Sequence, residues 1–111
     1  MRELFPRIIS AGILFCLALP SAMQAQSESA KIFKANCVQC HSTNGSGDTT
    51  AGKAFHAKDL RSAEVQKQTD EELAEVITKG KGKKMPAFGA KIKPDDINKL
   101  VAYLRELPKQ K

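Results

Sequence analysis

Large aromatic side chains are scarce in this chain, which has no tryptophan, one tyrosine and five phenylalanines among its 111 residues. A core with so few aromatics is thin, and a domain of this size usually needs a disulfide, a metal or a large cofactor as reinforcement. Three cysteines are one short of the four thiolates that an iron–sulfur cluster requires. No segment alternates polar and apolar residues long enough to predict a sheet, and no internal repeat occurs. These absences favour a small helical domain built around a bound group.

The first residues of the chain have the pattern of a secretory signal peptide. Two arginines precede an apolar run over residues 8–19, and small residues then lead to Ala25. The apolar run is too short to cross a bilayer comfortably, and an uncleaved membrane anchor is the alternative. We therefore predict a signal peptide over residues 1–25, with cleavage after Ser27 as a nearby alternative, and one domain over residues 26–111. The expected location is the periplasm or an equivalent extracytoplasmic compartment, without stable membrane insertion after cleavage.

The most informative motif runs from Cys37 through Cys40 to His41, with the spacing C-x-x-C-H. This run is typical of covalent haem attachment, in which each cysteine forms a thioether bond and the histidine binds the iron. Cysteines three positions apart lie on one side of a helical turn, where both can reach one edge of the haem. Cys16 falls within the predicted signal peptide, so the domain has no other cysteine. The chain is expected to bind one haem c through Cys37 and Cys40.

Other chemistries use parts of the same motif. A thioredoxin-like dithiol would need a βαβ setting, which the sequence does not predict. A zinc site would need His56 in addition to the motif, and the adjacent Cys40 and His41 depart from the usual paired spacing. A disulfide between Cys37 and Cys40 would close too small a loop to stabilise much. Haem is favoured because an export signal and a suitably placed methionine accompany the motif.

That methionine is Met85, the predicted second axial ligand of the iron. Met1 and Met23 fall within the predicted signal peptide, so Met85 is the only methionine of the domain. It lies in a Gly/Lys-rich segment without helical periodicity, and Pro86 biases it towards an extended conformation. His56 is the rival ligand, in a polar loop. A His/Met pair is a known axial set for haem, and with both positions filled the iron would bind no substrate.

The pattern along the domain predicts an all-α fold, with three to four short helices and long loops wrapped around one haem. Ser27 or Ser29 is expected to cap a first helix that runs to about Cys37, and residues 42–58, rich in turn formers, are expected to be loop. Thr69 starts a capping box before the next helix.

The end of that helix and the whole last helix have clear signals. Glu72 completes the capping box, and Gly80 is expected to end the helix. Pro94 suits the first position of the last helix, which Asp95 and Asp96 favour through the helix dipole. A hydrophobic staple and an apolar face accompany it, formed by Ile92, Ile97, Leu100, Val101 and Leu104.

With these motifs the chain resembles the class I c-type cytochromes, especially the small exported kind with one haem. The resemblance rests on the C-x-x-C-H run, the residues from Met85 to Gly89, and the last helix with Tyr103. It implies six-coordinate haem c, and a first helix that crosses the last with a small residue and an aromatic at the contact. Phe33 fits the aromatic position, whereas Ser29 stands where the family usually has glycine. The family commonly has a proline after the motif whose carbonyl accepts the histidine N–H, and residues 42–58 contain none.

The expected function is therefore that of a one-electron carrier between redox proteins, not of an enzyme. The alternatives are a haem subunit of a larger dehydrogenase or oxidase complex, and a haem sensor or weak peroxidase from which Met85 dissociates. A lysine-rich segment beside Met85 would steer the protein, as a monomer, onto acidic surfaces of an oxidase, reductase or dehydrogenase. Its members are Lys79, Lys81, Lys83, Lys84, Lys91 and Lys93. No nucleic-acid motif accompanies this basic charge.

Overall fold

The computed structural model describes residues 12–18 and 21–110, and this part of the chain is helical without strands. The elements are α1 (Ser21–Asn36), α2 (Val38–His41), α3 (Thr50–Phe55), α4 (Ala63–Gln66), α5 (Asp70–Lys79), α6 (Pro94–Glu106) and a final 3-10 turn (Leu107–Lys109). The all-α prediction is confirmed. The described residues contain six α-helices where three to four were expected, because the short helices α2, α3 and α4 carry too little periodicity to detect. The charged start of the predicted signal peptide lies outside the described residues.

The core forms where α1 and α5 pack against α6. Phe33 of α1 and Leu100 of α6 are buried, and the ring centroid of Phe33 lies 5.3 Å from that of Tyr103. The apolar face predicted for α6 is buried along its whole length, and Ile92 is buried with it. The first and last helices therefore meet through the aromatic contact that the resemblance implied. No helix among the described residues is long and apolar enough to span a membrane.

The predicted start of the first helix is wrong. The helix begins at Ser21, so neither Ser27 nor Ser29 is its N-cap. Ala22 to Gln26 are mostly good helix formers, and they extend the helix towards the N-terminus. Ser29 is instead a buried residue within the helix, 2% exposed, and its hydroxyl donates to the carbonyl of Ala25 at 2.9 Å. This bond to the preceding turn satisfies the serine where it faces the core.

The prediction of an unbroken loop over residues 42–58 is also wrong, because α3 lies within it. Thr49 is the N-cap, and its hydroxyl accepts the backbone N–H of Gly52 at 2.8 Å. The same hydroxyl lies within hydrogen-bond distance of the carbonyls of Gln39 and Cys40, at 2.8 and 3.1 Å. A Cβ on Gly52 would collide with the Cys40 carbonyl. The absence of a side chain there brings α3 directly against the cysteine motif.

The two later helices begin as predicted. Thr69 and Glu72 form the reciprocal capping box of α5, with N···O distances of 3.1 and 2.8 Å, and α5 ends at Lys79 before Gly80. Pro94 occupies the first turn of α6, where its missing N–H costs nothing. These helices set the place of the segment between them, which carries Met85.

Candidate functional site

The cysteine motif lies on a single helical turn at the end of α1. The N–H of Cys37 bonds to the carbonyl of Phe33 at 2.8 Å, and the N–H of His41 bonds to the carbonyl of Cys37 at 2.9 Å. Cys37, Cys40 and His41 are all partly buried. The burial of Phe33 in the core thus fixes the position of the turn that carries both thiols and the imidazole.

These side chains line a cavity of about 440 Å³, and Met85 lines the same cavity. All four residues predicted for the site are therefore brought together from two distant parts of the sequence. Most of the other side chains around the cavity are apolar or aromatic: Phe33, Phe55, Ala57, Leu60, Val65, Leu73, Val76, Ile77, Pro86, Phe88 and Leu104. Such a lining excludes water from a bound group and suits a flat, largely apolar cofactor.

His41 is held through its Nδ1 atom, which lies 3.0 Å from the backbone carbonyl of Lys58. A carbonyl only accepts, so Nδ1 carries the proton and Nε2 keeps a lone pair for a metal. Burial lowers the pKa of His41, and the bond to Lys58 opposes this change. The neutral imidazole that iron requires is thus favoured. Lys58 was not predicted from the sequence, because a backbone carbonyl has no side-chain signature and the expected proline is absent.

The two cysteines of the motif are free thiols. Burial, and to a smaller extent the neighbouring Cys40, raise the pKa of Cys37 to about 11. Among the described residues, no three His, Cys, Asp or Glu side chains lie close enough together to hold a metal ion.

Met85 is held by the backbone of a short loop that leaves α5. Lys81 and Met85 exchange two backbone hydrogen bonds, with N···O distances of 3.0 and 3.3 Å. Gly80 has φ +75° and ψ −179°, and a Cβ there would lie 2.6 Å from the carbonyl oxygen of Met85. Beyond Pro86, the N–H of Phe88 bonds to the carbonyl of Ile77 at 2.9 Å. Both ends of the loop are thereby fixed to α5, with Met85 partly buried against the core.

His56 also lines the cavity, but it belongs to the segment that supports His41. It follows α3 in a left-handed conformation, with φ 55°, and it is exposed. Only one residue separates it from Lys58, whose carbonyl contacts the Nδ1 atom of His41. Two residues of chain span at most about 7 Å. The backbone of His56 is therefore tied to the side of the cavity where His41 lies.

The six lysines predicted as a docking group are all exposed. Lys81 and Lys84 line the cavity itself, so positive charge lies at its edge. Lys79 pairs with Glu75, with an Nζ to Oε1 distance of 2.7 Å, and this pairing raises the pKa of Lys79. The remaining basic charge of the segment faces solvent beside the Met85 loop.

Taken together, two thiols on one helical turn, a neutral imidazole with a free Nε2, a thioether and an apolar lining meet the requirements of a covalently attached haem. The thiols can hold the porphyrin edge. Nitrogen and sulfur donors of this kind are the ligands that haem iron takes in electron-transfer proteins.

Comparison with known proteins also supports a covalently attached haem at this site. Residues 24–104 match the family model described as cytochrome C oxidase, cbb3-type, subunit III. The chain is 35% identical over 109 residues to cytochrome c6 of Gloeothece citriformis, covering 96% of this chain and 94% of that protein. It is 33% identical over 90 residues to the cbb3-type cytochrome c oxidase subunit FixP of Azorhizobium caulinodans, covering 81% of this chain but only 30% of FixP. The solved structure of the KustC0563 c-type cytochrome superposes with a TM-score of 0.66 at 30% identity, covering 71% of this chain and 95% of that one.

Proposed function

Since this chain belongs to the c-type cytochromes, within the family of the cbb3-type oxidase subunit III, we propose that Cys37 and Cys40 form the two thioether bonds to its haem. The protein is an electron carrier with one covalently bound haem c, and it is not an enzyme. The observation that carries the proposed ligand set is the single apolar cavity shared by both cysteines, His41 and Met85.

In this proposal Nε2 of His41 and the thioether sulfur of Met85 would hold the haem iron. The Lys58 carbonyl supports His41, since it fixes the tautomer and orientation of the ring. The loop hydrogen bonds at Lys81 support Met85, since they hold its backbone, and the bond from Phe88 to Ile77 fixes the end of the loop to α5. His56 is a poor second ligand because its segment carries the support of His41.

The bound haem supplies an Fe(III)/Fe(II) couple, which a thioether ligand shifts towards the reduced state. The protein's own part would be to keep His41 and Met85 both bound to the iron, so that neither ligand would have to leave during electron transfer. The apolar lining keeps water away, and the covalent anchors prevent loss of the cofactor. No acid, base or nucleophile is needed at this site.

Absorption spectroscopy of the protein, produced in a host that attaches haem c, tests the ligand set. The ferric wild type is expected to show the weak red Met–Fe(III) charge-transfer band. Met85→Ala should lose the band and keep the haem, whereas the control His56→Gln should retain both. Loss of the band in His56→Gln with retention in Met85→Ala would overturn the assignment.

A second candidate function is that of a haem subunit docked in a larger oxidase complex. The match to FixP and to the subunit III family supports it, although the chain spans only 30% of the length of FixP. The coverage of cytochrome c6 over nearly its full length supports a free, monomeric carrier instead. Purification from the native membrane and supernatant fractions distinguishes them: a monomer in the supernatant favours the carrier, and co-purification with an oxidase favours the subunit.

Export belongs to the same proposal, with residues 1–25 as a signal peptide and residues 26–111 as the exported domain in the periplasm. The signal peptide is supported by the charged residues at the start of the chain, which are followed by an apolar run. It is also supported by a family match that begins at residue 24. Ile13, Leu14 and Leu17 are more than four-fifths exposed, as expected for residues outside the packed core. The intact mass of the exported protein would give the cleavage site directly.

Docking on acidic redox partners is proposed for the lysine segment beside Met85. Charges near the edge of a cofactor accelerate encounter with an oppositely charged partner, and salt weakens the effect. Hexacyanoferrate serves as an anionic probe of this field. Lys83→Glu with Lys91→Glu should slow its reaction at low salt, whereas Lys31→Glu with Lys34→Glu, which changes the net charge equally on α1, should slow it much less. Equal slowing in both would refute local steering.

A further inference from the structure

A network of polar contacts ties the wall of the cavity to α6. The guanidinium of Arg105 donates to the carbonyl of Gln66 at 2.8 Å and to that of Gln68, and its Nε and Nη2 atoms bond to Asp70 at 3.1 and 2.9 Å. The side chain of Arg105 is only one-quarter exposed. Its planar group thus joins the connection between α4 and α5 to the last helix.

Gln66 extends the network towards the cysteine motif. Its side-chain Nε2 donates to the carbonyl of Leu60 at 2.7 Å and to the carbonyl of Leu104 at 3.1 Å. The N–H of Leu60 in turn bonds to the carbonyl of Gly45 at 2.8 Å. Leu60 is therefore held on both of its backbone polar groups, once from α6 through Gln66 and once from the loop after α2.

Leu60 lies two residues after Lys58, whose carbonyl contacts Nδ1 of His41. Residues 57–62 belong to no helix, so hydrogen bonds at Leu60 and its neighbours determine where this stretch lies. The path from α6 to the imidazole consequently has three steps: Gln66 holds Leu60, the short backbone joins Leu60 to Lys58, and Lys58 holds His41.

We propose that Gln66 and Arg105 are positioning residues that hold the Lys58 carbonyl against Nδ1 of His41 and thereby tune the reduction potential of the bound haem. This inference rests on the proposed role of His41 as an axial ligand. A firm bond from Nδ1–H to a carbonyl makes the imidazole a stronger donor, and a stronger donor favours Fe(III). Loosening of the relay should therefore favour Fe(II) and raise the potential.

The variants are chosen so that a displaced Lys58 carbonyl can be distinguished from a change of charge near the haem. Gln66→Met removes the donor while keeping shape and charge, so Leu60 loses its tie to α6. Arg105→Lys keeps the positive charge but lacks the planar fork that serves three partners at once. A change of charge alone would act in the other direction, because loss of a nearby cation disfavours Fe(II). Gln110→Met is the matched control, at an exposed position near the C-terminus.

The experiment is a spectroelectrochemical titration of the holoproteins, together with hydrogen exchange of the Nδ1 proton of His41 by NMR in the reduced state. At a fixed ambient potential, the Fe(II)/Fe(III) ratio should rise roughly two- to fivefold in Gln66→Met and Arg105→Lys, the change expected for weakening of one hydrogen bond. Exchange of the Nδ1 proton should be faster in both. Gln110→Met should match the wild type in both measurements.

The relay is overturned if neither variant changes the ratio, or if the ratio changes while the Nδ1 proton exchanges as in the wild type. If Gln66→Met does not fold, Arg105→Lys decides alone by the same two measurements. Failure of the proposed ligand set would look different, since the wild-type protein itself would then lack the Met–Fe(III) band.

Discussion

Substitution of Gly80 by alanine is the sharpest test of how the loop holds Met85. With φ +75° and ψ −179°, Gly80 occupies a backbone region that is almost exclusive to glycine, and another residue there costs roughly 1–3 kcal/mol. A Cβ would lie 2.6 Å from the Met85 carbonyl oxygen and 2.8 Å from the backbone nitrogen of Ala87. Both contacts are backbone atoms, so the loop must move, at a further cost of roughly 1–3 kcal/mol.

The net effect on stability follows from these contributions. Alanine restricts the unfolded chain, which stabilises the protein by about 0.4–1 kcal/mol. After this gain is subtracted from the strain and the steric cost, Gly80→Ala is expected to destabilise the holoprotein by about 3 kcal/mol. Gly82→Ala is the matched control in the same loop. Gly82 also has a positive φ, +60°, but a Cβ there would meet nothing within 4 Å. Gly82→Ala should therefore destabilise the protein by about 1 kcal/mol, which is the strain of alanine in the left-handed region less the gain from restricting the unfolded chain.

The assay is denaturant unfolding of the ferric holoproteins, followed by far-UV circular dichroism, together with the Met–Fe(III) charge-transfer band of each folded protein. Gly80→Ala should weaken or abolish the band before unfolding, because displacement of the Met85 carbonyl moves the thioether. Gly82→Ala should keep the band, and both variants should retain covalent haem. A full band in Gly80→Ala, with the same unfolding midpoint as Gly82→Ala, would refute the argument that the glycine holds the methionine in place.

Three further predictions concern the framework around the site, each checked by denaturant unfolding of the holoprotein. Thr69→Ala should lower the free energy of unfolding by about 1 kcal/mol, because a helix cap is lost. Thr49→Ala should lower it by about 2 kcal/mol, because the Thr49 hydroxyl also contacts two carbonyls of the cysteine motif. Equal losses in the two variants would contradict that second role of Thr49. Phe33→Ala should cost about 3–5 kcal/mol, since Phe33 is 2% exposed and its ring meets that of Tyr103 in a tilted arrangement; a cost near 1 kcal/mol would contradict its place in the core. Arg61 lowers the pKa of Asp59, so wild type should be slightly more stable than Asp59→Asn, by less than about 1 kcal/mol for a surface pair. This difference in stability should be fully present above the ordinary pKa of 3.8 and should vanish as the pH falls through the lowered pKa of Asp59. A difference that grew in acid would contradict this sign.

The elements predicted well from the sequence are those whose signals are local. The capping box at Thr69 and Glu72 and the proline at the start of α6 each involve side chains within one turn of the helix they begin. The apolar face of α6 was equally clear, because its period repeats over several turns. Such features need no knowledge of the rest of the fold.

The elements that were missed depend on tertiary contacts. The turn formers at residues 44–48 made residues 42–58 look like loop, whereas the missing side chain of Gly52 is what allows α3 to approach Cys40. The acceptor for His41 was missed because any backbone carbonyl can serve, and only the folded path of the chain brings Lys58 there. The start of α1 was misjudged because Ser29, read as a cap, is satisfied inside the helix.

The bond from Ser29 to Ala25 has a consequence for maturation of the chain. Under the proposed cleavage after Ala25, the accepting carbonyl leaves with the signal peptide, and the new α-amino group forms at Gln26 in the first turn of the shortened helix. A buried hydroxyl then loses its partner, and a positive charge meets the positive end of the helix dipole. A peptidase also needs its substrate extended, so removal of the leader must precede or unwind this turn. Precursor and mature protein would therefore differ in how tightly the start of α1 is wound, and removal of the leader would be a folding event as well as a cut.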